Sequence, residues 1–150
     1  MATLERRIVE AILRELRLAG IEGVVDRVYE DRGMTIAATD LPAIDVMALD
    51  DELDVLDIGD LQMMHRASVD VAVLAREQAG ESPSAQADPI LADVHRAVMR
   101  STALAALVRA IVPGPVRSQR SSTGDGTLLR KSITYTVDFV TAVDDLEAAP

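Results

Sequence analysis

The chain has 150 residues, no cysteine and a net charge of −10. One domain is expected at that length, and it can bury roughly 70% of the surface it exposes unfolded, so a core needs no disulfide or metal staple. The missing cysteine removes thiolate metal sites and thiol nucleophiles, and no apolar stretch approaches the ~20 residues of a membrane span or forms the h-region of a leader, so the expectation is a cytosolic product with no membrane association.

The first element is an amphipathic helix. Thr3 suits its N-cap, and Leu4, Ile8, Ile12 and Leu16 recur at steps of four, widened by Val9 and Leu13. Arg6, Arg7, Glu10, Arg14 and Arg17 hold the wet side, and Gly20 is a fitting stop. Residues 23–33 read as a short strand into a turn, and 41–49 as a second strand with Pro42 at its start. The acidic stretch 50–60 is expected to be a solvated loop to a long strand over 61–77, where Val69, Val71 and Val73 alternate with Ser68, Asp70 and Ala72.

Residues 79–87 read as a loop, after which Asp88 caps a second helix with Pro89 at its first position. Ile90, Leu91, Val94 and Val98 form its buried stripe. Pro113 and Pro115 exclude helix, so 107–120 reads as an irregular edge strand. The turn cluster 121–127 leads into a closing strand with Ile133, Tyr135, Val137 and Phe139 on one face. The expected fold is α+β: a mostly antiparallel sheet of four to five strands, two helices on one face and a projecting β-hairpin. Residues 1–141 form the domain and 142–150 a flexible acidic tail.

Charge is segregated along the chain. Residues 22–60 carry twelve acids and two arginines, a local sum of −10, while 109–131 sum to +4. Two unlike patches suit a contact between copies. The acidic side is Asp50, Asp51, Glu52, Asp54 and Asp57, and the basic side is Arg117, Arg120, Arg130 and Lys131 on the hairpin. These nine residues are the expected subunit or partner interface.

Motifs for chemistry are absent. The acids around Gly59 do not match the calcium-loop spacing, and six carboxylates between Asp50 and Asp60 could not be buried without partners. A wet loop also shifts carboxylate pKa values too little to make an acid–base pair. His65 and His95 belong to no zinc pattern and read as surface or packing residues. Phosphate loops and the Gly-x-Ser-x-Gly elbow are missing. No catalytic residue, resident metal or cofactor is assigned, and the acidic run offers divalent cations only weak counter-ion binding. Overall acidity, with three aromatic residues (Tyr29, Tyr135 and Phe139), argues against nucleic-acid binding.

The order and spacing of these elements resemble the lambda-type phage tail terminator family, the minor tail protein U group, over about residues 4–141. The resemblance rests on the N-terminal helix, on "DLPAIDVMALDDE" with its Leu41-Pro42-Ala43 strand start and acidic turn, and on the long strand "ASVDVAVLARE". "DPILADVHRAVM" and the closing Tyr135-x-Val137-x-Phe139 complete it. Members have a tryptophan soon after the acidic turn, where Leu61 or Gln62 stands here. The resemblance implies a non-enzymatic virion protein at the tail end or neck, made in the host cytoplasm. It implies a hexameric ring that caps the tail tube, stops tube polymerisation and presents a joining surface to the head side. Its partners would be its own copies, the tail tube protein and a head-completion or connector protein, with DNA passing through unbound. The alternatives left open are a neck, tail-completion or connector protein of similar fold, a small metal-dependent hydrolase, and a cytosolic adaptor or assembly chaperone.

Overall fold

The computed structural model describes residues 2–33, 35–57, 61–123 and 126–147. Helix α1 (Leu4–Ala19) begins where the Thr3 hydroxyl accepts the Arg6 amide and ends where Gly20 turns left-handed, at φ 56°. Its apolar stripe, Leu4 through Leu16, is buried as the step of four dictates.

Among the described residues five strands make one sheet in the order β1-β2-β3-β5-β4. They are β1 (Val28–Glu30), β2 (Ala43–Asp57), β3 (Gln62–Arg76), β4 (Ala110–Thr123) and β5 (Gly126–Ala142). Among the described residues only the β1–β2 pair is parallel; β2–β3, β3–β5 and β4–β5 are antiparallel. The fold is α+β, with α1 and α2 (Pro83–Met99) against one face of the sheet. The short α3 (Thr102–Ala105) leads into β4. The core lies between α1, α2 and the sheet residues Ile44, Val46, Val69, Val71, Tyr135 and Val137.

The opposite face is covered only in part. The segment after β1 folds over one end of it, where Leu41, Ala43, Ala72 and Leu74 pack with Tyr29, Ile36 and Leu128. Elsewhere this face carries Ser68, Asp70, Thr134 and Thr136, as expected of an antiparallel sheet with one wet side.

Two expectations change. The acidic run is not a loop: β2 continues through Asp57 and pairs with β3 to Gln62, with register shifts at Ala48/Asp51 and Leu53/Val55. Pairing along β3 outweighs the low strand propensity of aspartate, because the backbone bonds are made whichever side chains stand outward. The second helix starts six residues earlier than expected. Ser82 caps it by accepting the Ala85 amide, Pro83 takes the first position, and Pro89 lies inside. Ser-Pro is the same start signal as Asp88-Pro89, so two starts competed and the upstream one gave the longer helix. Beyond Ala142, the Leu146 carbonyl accepts the Leu4 amide at 2.9 Å. Residues 148–150 lie outside the described residues.

The edge strand β4 appears where Pro113 and Pro115 require it, with a register shift between Pro113 and Val116. A Cβ on Gly114 would meet the Thr134 carbonyl oxygen at 2.8 Å, so the shift needs glycine there. The β4–β5 hairpin projects past the end of β3 by its last two rungs, Ser122–Thr127 and Thr123–Gly126.

Candidate functional site: two charged sheet edges

The register places the two charge clusters at opposite ends of the sheet. Glu52 stands in one row with Arg66, Asp138 and Ala110, whereas Arg117 stands in the row of Ser132, Ala72 and Asp45. Asp45 and Asp51 are six residues apart on β2, roughly 20 Å at strand rise. The clusters also lie on opposite edges. β4 is one edge of the sheet. On the other, β1 pairs with β2 only from Ile44 to Val46, and the Asp31 amide adds one bond to the Val46 carbonyl. Among the described residues, no strand pairs with the outer side of β2 from Met47 to Asp57.

The nine expected interface residues divide by environment. Asp50, Asp51 and Glu52 are exposed on β2. Asp54 and Asp57 occupy the same strand, their side chains outside the described residues. Arg117 and Arg120 are exposed on β4, with Arg120 donating to the Ser84 hydroxyl at 3.2 Å. Arg130 and Lys131 instead turn back onto the molecule. Lys131 pairs with Asp88 of α2. Arg130 lies on the partly covered face and pairs with Asp70 at 2.5 Å, side chains 14% and 9% exposed. Thr134 donates to the other Asp70 oxygen at 3.0 Å.

Sequence reasoning missed two buried carboxyls. In the sequence Asp70 stands only as the polar half of an alternation. Asp45 is fully buried and accepts the backbone N–H groups of Arg32 (3.0 Å) and Gly33 (2.8 Å). Burial pushes its pKa up, against the pull of those two bonds. An aspartate inside an otherwise apolar strand start, "PAIDV", is the signal that could have pointed to it.

Both histidines are packed. His95 Nδ1 lies 2.9 Å from the Tyr135 hydroxyl, and burial raises the Tyr135 pKa to about 12. His65 stacks on Phe139 with ring centroids 4.7 Å apart. Its Nδ1 lies 2.9 Å from Asp51 Oδ2 and its Nε2 3.0 Å from Thr141 Oγ1. That is a hydroxyl–imidazole–carboxylate relay in connectivity, but Thr141 is 1% exposed, so no substrate can reach the hydroxyl as it stands. The relay instead braces the acidic end of the β2–β3 hairpin against β5. Glu5, in the first turn of α1, sits close enough to feel both Asp51 and His65. Its pKa is raised by burial first and by the Asp51 charge second.

Among the described residues, no group of three or more potential ligands is placed to hold a metal, and no helix is long and apolar enough to cross a membrane. No family model matches the chain, and no curated protein matches it. Among solved structures it is similar to a chain of the virion of a native gene transfer agent (GTA) particle, at 10% identity and a TM-score of 0.46. That likeness covers 94% of this chain and 100% of the other.

Proposed function

We propose that this chain is a structural virion protein that closes head-to-tail into a ring, hexameric in the family it resembles. The ring caps a phage tail tube, stops its polymerisation and offers the head side a joining surface. One observation carries the reading: the acidic and basic strands occupy opposite edges and opposite ends of a single sheet. A subunit with two different, complementary patches associates heterologously, and such contacts close into rings when the rotation between neighbours allows. Unlike charge fixes the register of that contact and speeds encounter.

The partners in this reading are other copies of the chain, the tube protein on one side and a head-completion or connector protein on the other. DNA passes through without specific binding, because the net charge of −10 gives its phosphates no field to settle in. Chemistry has no part in it, and divalent cations act only as diffuse counter-ions to the acidic strand.

Light scattering at several protein concentrations, with and without the tube protein, tests the reading. A multimer of one size is expected, and a strict monomer under every condition overturns it. Calorimetry with magnesium or calcium separates it from a metal-dependent hydrolase: the expected titration shows no saturable site, whereas tight stoichiometric binding at Asp50–Asp60 would favour the enzyme.

A further inference from the structure

We infer that copies of this chain join by main-chain strand pairing, the β4 edge of one copy adding to the open length of β2 in the next. This rests on the ring reading and names the contact that would make it.

The backbone supplies the first argument. Among the described residues, β2 from Met47 to Asp57 has a paired inner side and an unpaired outer side, and so does β4. Such an edge is a row of N–H and C=O groups able to template another strand. Direction supplies the second. β2 is antiparallel to β3, β3 to β5 and β5 to β4, so β4 runs opposite to β2. Two copies set side by side in the same orientation therefore bring β4 and β2 together antiparallel, and all helices stay on one side of the continued sheet.

Obstruction narrows the register. β1 occupies the outer side of β2 at Ile44–Val46, which leaves the stretch beyond it. Pro113 and Pro115 lack the N–H groups a new partner would need and rule out the first half of β4, leaving Val116–Thr123 against a β2 stretch broken by its own register shifts at Ala48/Asp51 and Leu53/Val55. The two free stretches are "VRSQRSST" and "MALDDELDVLD". The first carries two arginines and no acid, the second five acids and no base.

Charge then decides which edges meet. Two β2 edges repel, and so do two β4 edges, while β4 against β2 attracts. Like charge thus blocks the two-fold dimer that open edges would otherwise invite and directs assembly head to tail. Because the basic stretch of β4 lies at the opposite end of the sheet from the acidic stretch of β2, neighbours must be staggered along the strands. Stagger of this kind tilts the strands from the ring axis, as closure of a sheet requires.

Two measurements on the full chain test this. Hydrogen exchange of the assembled wild type, compared with dilute monomer, should show amides of 48–57 and 116–123 slowed roughly ten-fold or more, as newly paired strands are. Because the chain has no cysteine, Leu53→Cys and Ser118→Cys can be made as single variants at exposed, helix-side positions, alongside neighbouring positions to scan register. After oxidation, only a mixture of a β2 variant with a β4 variant should give the heterologous disulfide dimer, and the double variant should give a covalent ladder ending at the ring. Multimers that form without slowed exchange on these strands and without any β2–β4 disulfide would overturn strand pairing while leaving the ring standing. A strict monomer, even with tube protein, would overturn the ring itself.

Discussion

Arg130 on β5 donates from Nη2 to Asp70 Oδ2 on the neighbouring strand β3 at 2.5 Å. Both side chains are largely buried, so this arginine serves the fold and not the surface. Arg130→Ala leaves Asp70 with only the Thr134 hydroxyl. Breaking a buried pair costs about 3–5 kcal/mol, and the partial exposure here lowers that to about 2–3 kcal/mol. The urea midpoint of the variant reads the loss, and a midpoint unchanged from wild type would refute the internal role.

The exposed pair on β4 behaves in the opposite way. Arg117→Glu with Arg120→Glu alters no buried group, so unfolding should shift by less than about 0.5 kcal/mol per site. Assembly should weaken strongly, because the reversed strand now repels the acidic edge of the next copy. Restoring complementarity by reversing the exposed Asp50 and Glu52 to lysine, which leaves the Asp51–His65 contact intact, should recover part of it. Light scattering follows all three proteins, and assembly that ignores the reversal would remove these arginines from the interface.

Asp45 sets a pH dependence. Its pKa is raised by burial, so the folded chain keeps this proton to a higher pH than the unfolded chain does. Through that window the native state binds more protons, and stability falls as pH rises from the ordinary carboxylate range upward. Glu5 acts in the same sense. Asp45→Asn removes one titration at the cost of one of the two N–H bonds. Its melting temperature relative to wild type should therefore improve between pH 4 and pH 7. A constant difference across that range would show that Asp45 does not titrate differently on folding.

The start of α2 is testable at Ser82. Its hydroxyl accepts the Ala85 amide, so Ser82→Ala should cost about 1 kcal/mol. Asp88→Ala removes only the exposed partner of Lys131, worth about 0–1 kcal/mol. Thermal unfolding of the two variants should rank them in that order, and the reverse order would return the cap to Asp88.

Gly114 should tolerate no side chain. Gly114→Ala drives a methyl into the Thr134 carbonyl, and relief requires moving backbone on β4 or β5 at about 1–3 kcal/mol. Circular dichroism with chemical denaturation checks this; a neutral substitution would mean that the β4 edge yields easily.

Periodicity was enough to read α1, the long strand β3 and the closing strand β5, because each shows one continuous apolar face to a single core. Alternation along β5 placed Ile133, Tyr135, Val137 and Phe139 correctly, all of them buried. The edge character of β4 followed from two prolines alone. The acidic strand could not be read in this way. Asp50–Asp57 has no apolar alternation, since its conformation is set by partner bonds from β3 and not by its own side chains. The start of α2 was ambiguous because Ser82-Pro83 and Asp88-Pro89 carry the same local signal, and only packing against the sheet chooses between them.

Local composition by itself determined that acid and base are segregated, that thiol chemistry is absent, and which faces must be buried. Tertiary structure decided which charges remain at the surface. Arg130 and Lys131 lie beside Arg117 and Arg120 in the hairpin, yet strand pairing brings Asp70 under one and α2 brings Asp88 under the other. Neighbouring charges along a chain are set by sequence, but their counter-charges come from segments forty to sixty residues away. Only the fold brings those together.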